Sequence, residues 1–138
     1  MIILLTLLLV CDVCFANDDI IKIRMVNAII GEAEGEPYKG KLGVACAIIN
    51  RVGTHGSFDK AMRGVYGEKS KRVTEHKYSN KVFVDAVRAY EESLEVGACD
   101  FIDGADHFEG ASFNKPSWSK DMIMTARVGK QIFYKAKE

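Results

Sequence analysis

A chain of 138 residues, 48% hydrophobic and 28% charged, is enough material for one globular domain with a buried core. Its 19 basic residues balance 19 acidic ones, which excludes a nucleic-acid binder that neutralises phosphates with clustered Lys and Arg. Two prolines and the lack of any low-complexity tract exclude a disordered chain.

Residues 1–10, MIILLTLLLV, carry no charge. The run is shorter than the ~20 residues of a bilayer-spanning helix and fits the apolar centre of a secretory signal peptide, although no Lys or Arg leads it. Cys14 and Ala16 place small residues at the −3 and −1 positions of a cleavage site before Asn17. The expectation is a signal peptide over residues 1–16 and a domain over 17–138, secreted or held in the cell envelope, with no stable membrane insertion after cleavage. Cys11 and Cys14 leave with the leader, and Cys46 and Cys99 remain. In an exported chain they are a candidate disulfide closing a loop of about fifty residues. The alternative is two buried thiols, since Cys46 sits in the apolar run Val44–Ile49, where a reduced cysteine packs like Ala. His55, His76 and His107 are scattered and no CxxC survives cleavage, so neither a metal nor a cofactor is expected.

Asp18 and Asp19 can cap a first helix whose apolar stripe is Ile20, Ile23, Val26 and Ile30, ending near Gly31–Gly35. A second helix starts near Tyr38–Gly40 and ends at Asn50-Arg51. Its residues Leu42, Val44, Ala45, Cys46, Ile48 and Ile49 cover most of its circumference, the pattern of a central core helix. Glycines break the stretch 53–79, with a short helix near Asp59–Tyr66. Ser79-Asn80 cap a third helix with Val84, Ala86, Val87, Tyr90 and Leu94 inward, stopped by Gly97. Residues Phe101 to Phe113 read as short strand and turn. Pro116–Ser119 introduce a last helix with Met122, Ile123, Ala126, Ile132 and Phe133. The sum is an α+β, mainly α, domain with a small β element, and no βα alternation for a parallel sheet.

The densest candidate for chemistry is Gly31-Glu32-Ala33-Glu34-Gly35-Glu36-Pro37-Tyr38. Small neighbours let a ligand approach, and a carboxyl at an apolar helix end, among like charges, is suited to general-acid work. Glu32 follows Ile29-Ile30 directly, which ties it to the buried face; a solvated acidic turn is the plainer alternative. His107, Phe108 and Trp118 form a second candidate, because sugar rings are held by an aromatic face beside hydrogen-bonding groups. A hydrophobic staple for Trp118 and a structural role for His107 are the alternatives.

The order of Ala28–Tyr38, Gly40–Val52, Gly104-Ala105-Asp106-His107-Phe108, Pro116-Ser117-Trp118, Thr125–Gly129 and Ile132-Phe133-Tyr134 resembles the SleB/CwlJ-type cell wall hydrolase family, which includes the spore-cortex lytic enzymes. The resemblance implies a bare catalytic domain of lysozyme-related, lytic transglycosylase-like fold. It implies action on peptidoglycan glycan strands, cleaving between N-acetylmuramic acid and N-acetylglucosamine without water. Glu32 is the implied catalytic residue, with Glu36, Tyr38, Ser79, His107, Phe108 and Trp118 as candidate substrate contacts. The chain departs from the family in carrying Glu34 where Arg is usual, and in the stretch 67–77, where Tyr78-Ser79 is the nearest remnant of a Phe-Ser segment. A water-using muramidase, with Glu36 or Asp106 as second carboxylate, and a non-catalytic wall-binding or coat protein are the competing functions.

Overall fold

The computed structural model describes residues 2–110 and 115–138, with side chains described from Asn17 onward; Phe113 lies outside the described residues. Helix α1 spans Ile2–Ala33. Asp18 and Asp19 therefore lie inside a continuous helix, exposed, and not at its cap. The buried stripe is also rotated from the expected one. Met25, Val26, Ala28, Ile29, Ile30 and Ala33 are buried, whereas Ile20 and Ile23 are 55% and 59% exposed. At that end the residue packed against the core is Ile21, so the buried face is turned away from Ile20 and Ile23.

Helix α2, Tyr38–His55, is the centre of the fold, with Gly40–Ile48 all buried. It runs one turn past Asn50-Arg51 and stops at Gly56, whose φ of +80° lets its N–H reach back to the Val52 carbonyl, a left-handed cap that glycine adopts without strain. Two single-turn helices follow, α3 (Phe58–Ala61) and α4 (Lys71–Thr74), separated by a 3-10 turn at Gly67–Lys69. Ser57 and Ser70 cap them by accepting the Lys60 and Val73 N–H groups. Helix α5 spans Asn80–Ser93 with Ser79 accepting from the Val82 N–H. It buries Ala86 and Ala89, while Val84 and Leu94, expected inward, are more than half exposed.

The last third is where the expectation fails. Strand β1 (His107–Gly110) matches the expected strand and turn, but no helix follows Pro116–Ser119. A 3-10 turn at Ser117–Asp121 leads into β2 (Met122–Val128) and β3 (Gln131–Ala136). Val128-Gly129-Lys130-Gln131 is a two-residue hairpin, with Val128 opposite Gln131 and Gly129 at φ +59°, the conformation such turns demand. The apolar spacing fitted a helix, but the β-branched and aromatic residues Ile123, Val128, Ile132, Phe133 and Tyr134 flanking a Gly turn favour a hairpin. The sheet order is β1-β3-β2, all antiparallel. Phe133, on central β3, sets the tip of its ring against α2 at Gly43, where a Cβ would fall 2.4 Å from its Cζ.

Cys46, fully buried in α2, is disulfide-bonded to Cys99, 53 positions further on in sequence, with Cα atoms 5.4 Å apart. The bridge ties the core helix to the segment that leads into β1. Among the described residues, no helix is long and apolar enough to cross a membrane.

Candidate active site

Glu32 lies in the last turn of α1, half-buried. Its Oε1 accepts two backbone N–H bonds, from Gly67 at 2.7 Å and Tyr66 at 3.1 Å. Its Oε2 has no partner among the described residues. Two glycines make this clamp possible. A Cβ on Gly31 would lie 2.0 Å from the Gly67 carbonyl oxygen, and one on Gly67 would lie 2.8 Å from both Cγ and N of Glu32. Helix and loop thus meet backbone to backbone, closer than any side chain permits. From the far end of the chain, Gln131 Nε2 donates 2.8 Å to the Glu32 carbonyl. Gln131 is only 3% exposed, and its Oε1 is buried without a partner among the described residues.

The expected crowd of like charges around Glu32 is not what the fold builds. Glu34 points to Arg72, which donates from Nε at 2.8 Å and also from Nη2. Those hydrogen bonds hold its carboxyl below the usual Glu value. Glu36 turns the other way: its Oε2 accepts the Lys130 N–H of the hairpin at 2.8 Å. Its carbonyl accepts from Lys41 Nζ, and burial of that ammonium pushes its pKa down. Each acid in the motif has its own donors, so alternation along the turn separates the carboxylates.

The aromatic group is real and partly different from the one expected. His107 and Trp118 have ring centroids 5.3 Å apart, and Trp118 meets Tyr134 edge-on at 5.4 Å. Trp118 is 37% exposed. Tyr134 lies opposite His107 in the sheet and donates to Glu109 at 2.5 Å. Burial, then that bond, pushes its phenol up to about 12. Asp106 Oδ1 pairs with His107 Nδ1 at 2.8 Å, and Thr54 donates to Oδ2 at 3.5 Å. By strand alternation Tyr134 faces away from Gln131 and Phe133, so the aromatic group and the Glu32 clamp stand on opposite faces of β3.

Three residues singled out in the sequence have other engagements. Phe108, opposite Phe133, packs against the core. Tyr38 donates to Glu92 at 2.6 Å with Arg88 over its ring; burial, then the Glu92 bond, raises its phenol to about 12. Ser79 spends its hydroxyl as the α5 cap. Conversely, Tyr66, Gly67, Arg72 and Gln131 reach the Glu32 region without having stood out in the sequence. A backbone N–H leaves no mark on residue type, and the sequence marked a close approach only at the small residues of the Gly31–Gly35 turn.

Residues 35–134 match the cell wall hydrolase family, and the chain belongs to that family; Glu32 lies just ahead of the matched stretch. A spore cortex-lytic enzyme of Bacillus cereus is 30% identical over 120 residues, 80% of this chain and 42% of that protein. Another, from Oceanobacillus iheyensis, is 46% identical over 44 residues, 32% of this chain and 16% of its own. The chain therefore spans less than half the length of these curated relatives. The catalytic domain of the germination-specific lytic transglycosylase SleB from Bacillus anthracis superposes with a TM-score of 0.64 at 23% identity, over 83% of this chain and 93% of the other. The catalytic domain of the Bacillus cereus SleB protein gives 0.57 at 21% identity, over 83% and 89%. The mainly helical, lysozyme-like fold is the one these domains share with this chain.

Proposed function

We propose that this chain cleaves peptidoglycan glycan strands as a lytic transglycosylase, outside the cytoplasm, with Glu32 as its single catalytic carboxyl. Protonated Glu32 donates to the glycosidic oxygen, which leaves with the N-acetylglucosamine side. The bond to the muramoyl anomeric carbon breaks and an oxocarbenium-like centre forms. The 6-hydroxyl of the same muramoyl residue then bonds to that carbon and returns its proton to the Glu32 carboxylate. The product is a 1,6-anhydromuramoyl end, no water is consumed, and the acid is regenerated.

The observation that carries this is the clamp. Oε1 is held by the Tyr66 and Gly67 amides, so the second oxygen alone is left for proton transfer, and the amides stabilise the carboxylate formed in the first step. Names of the similar proteins, spore cortex-lytic enzyme and lytic transglycosylase, support the substrate class. A water-using route needs a second carboxylate beside the scissile bond. Its candidates, Glu36 and Asp106, are occupied by the Lys130 N–H and by His107 with Thr54. Trp118 and His107, across β3 from Glu32, are proposed to hold a sugar ring remote from the scissile bond. Mass spectrometry of peptidoglycan digested by the protein tests the reading. Anhydro-muropeptides support it, reducing muramic ends replace it with a muramidase, and binding without release replaces it with a wall-binding protein. A folded Glu32→Gln variant should lose at least about 99% of turnover, since general acid catalysis contributes ~10²–10⁴ in rate.

A further inference from the structure

The loop whose amides clamp Glu32 is itself fastened at two places, to α1 and to the turn that follows it. On one side, Arg24 of α1 donates to Glu68, Nη2 to Oε1 at 3.0 Å and Nε to Oε2 at 3.2 Å, and is steadied by Asp59 at 2.8 Å. On the other, Glu34, in the turn just past the end of α1, receives the two-pronged bond from Arg72 of α4. Between them lie the Gly31–Gly67 contact and the Glu32 carboxylate. The two forks have opposite polarity. Helix α1 supplies the cation at one and the turn after it the anion at the other, and the loop supplies the complement four residues apart. A reversal of the loop would set like charges together and a slip would unpair both forks, so the pair fixes one register. That register brings the Tyr66 and Gly67 N–H groups to Oε1.

We infer that Glu34 and Arg72 are positioning residues for Glu32: their ion pair seats the 66–72 segment so that its amides orient the reacting carboxyl. This rests on Glu32 being the acid, as proposed above. The pair touches no reacting atom. It acts by keeping the carboxyl in one rotamer, which governs turnover more than affinity, because a misplacement of about 1 Å at a reacting group costs up to ~10²-fold. The Glu at position 34 and the Arg at position 72 therefore form a unit, and neither makes sense alone.

Charge reversal in the full chain tests this. Glu34→Arg and Arg72→Glu each place like charges face to face, and each should lower kcat roughly tenfold with KM within about twofold. The double variant Glu34→Arg/Arg72→Glu restores an ion pair and should recover kcat to within about threefold of wild type. Should a reversed single fail to fold by circular dichroism, Glu34→Gln and Arg72→Gln remove the pair without repulsion and should each lower kcat by about threefold. Two results overturn the inference: folded singles that turn over at the wild-type rate, or a fall in activity carried by KM and not recovered in the double variant, which would mean direct contact with glycan. Glu32→Gln is measured in parallel. If it is inactive while the fork variants are fully active, only the positioning role fails; if it is active, the assignment of the acid fails.

Discussion

Gly31→Ala separates the packing argument from ordinary helix energetics, because the two predict opposite signs. Gly31 is inside α1, where replacing Gly by Ala alone would stabilise the helix by ~1 kcal/mol. The new Cβ, however, would stand 2.0 Å from the Gly67 carbonyl oxygen and 2.2 Å from its carbonyl carbon. Neither is the flexible end of a side chain. Opening that contact to an ordinary 3.4 Å takes about 1.4 Å of backbone movement, and the 2.7 Å bond from the Gly67 N–H to Glu32 then lengthens to about 4 Å and is lost. Overpacking costs ~1–3 kcal/mol and a bond to a charged group is worth ~1.5–3 kcal/mol, so the net destabilisation is roughly 2–4 kcal/mol. A loss of thermal stability on the order of 10 °C follows, with a fall in kcat of up to ~10²-fold as the carboxyl loses its seat. Gly53→Ala is the control: it is also in α2's helical interior, nothing lies within 4 Å of its Cβ, and it should be neutral or slightly stabilising. Differential scanning calorimetry and turnover on purified peptidoglycan read both quantities. A Gly31→Ala protein as stable and as active as wild type would refute the backbone-contact account of the clamp.

Removing the Cys46–Cys99 bridge by Cys46→Ala/Cys99→Ala should cost ~2–4 kcal/mol in urea unfolding; equal midpoints for the two proteins would show that the bridge does not stabilise the fold. Arg72 lowers the Glu34 pKa, so the stability this pair contributes is present above the unfolded Glu value of ~4.3 and is lost as pH falls through the lower folded value. Wild type and Arg72→Gln should therefore differ in urea stability near pH 7 and converge in strong acid; a gap that persists there would contradict the linkage. Trp118→Ala should raise KM several-fold and spare kcat, and an unchanged KM would remove Trp118 from the substrate path. Activity should survive EDTA, since the histidines are scattered and no metal-ligand spacing occurs in the sequence; abolition by chelator and recovery with zinc would reverse that. The secreted protein should begin at Asn17, and recovery with Met1 attached would disprove cleavage after Ala16.

The helical half of the fold was legible because its periodicity is strong. The run from Leu42 to Ile48 is apolar on every face, and only a central helix buries such a segment. The hairpin was not, because Met122, Ile123 and Ala126 happen to fit a helical spacing, while the decisive feature was local: a single Gly at position 129 between two β-prone runs. The stripe on α1 was misplaced for a different reason. Ile20 and Ile23 continue the apolar spacing, but Ile21 and Met25 are the residues that the core takes up, and periodicity alone does not say on which side the partners lie. At the candidate site, Glu32 stood out by residue type and context. Its partners did not, because two of them are backbone N–H groups and a third, Gln131, reaches it across 99 positions of sequence.

That last bond sets an order of events during biosynthesis. Gln131 and Phe133 belong to the central strand of the sheet, yet they are synthesised after the helices and both of the strands that they join. Helices α1 and α2 can form from local contacts as they emerge, but β1 and β2 have only β3 to pair with, and such distant pairings are slow to close. Until residue 136 is free to dock, the hairpin that supports Glu36 through Lys130 is missing, and so is the Gln131 bond to the Glu32 carbonyl. A nascent chain thus carries Glu32 on an unsupported helix end. The Glu32 surroundings are therefore complete only after β3 has docked, late in folding and not as the helix that carries Glu32 emerges.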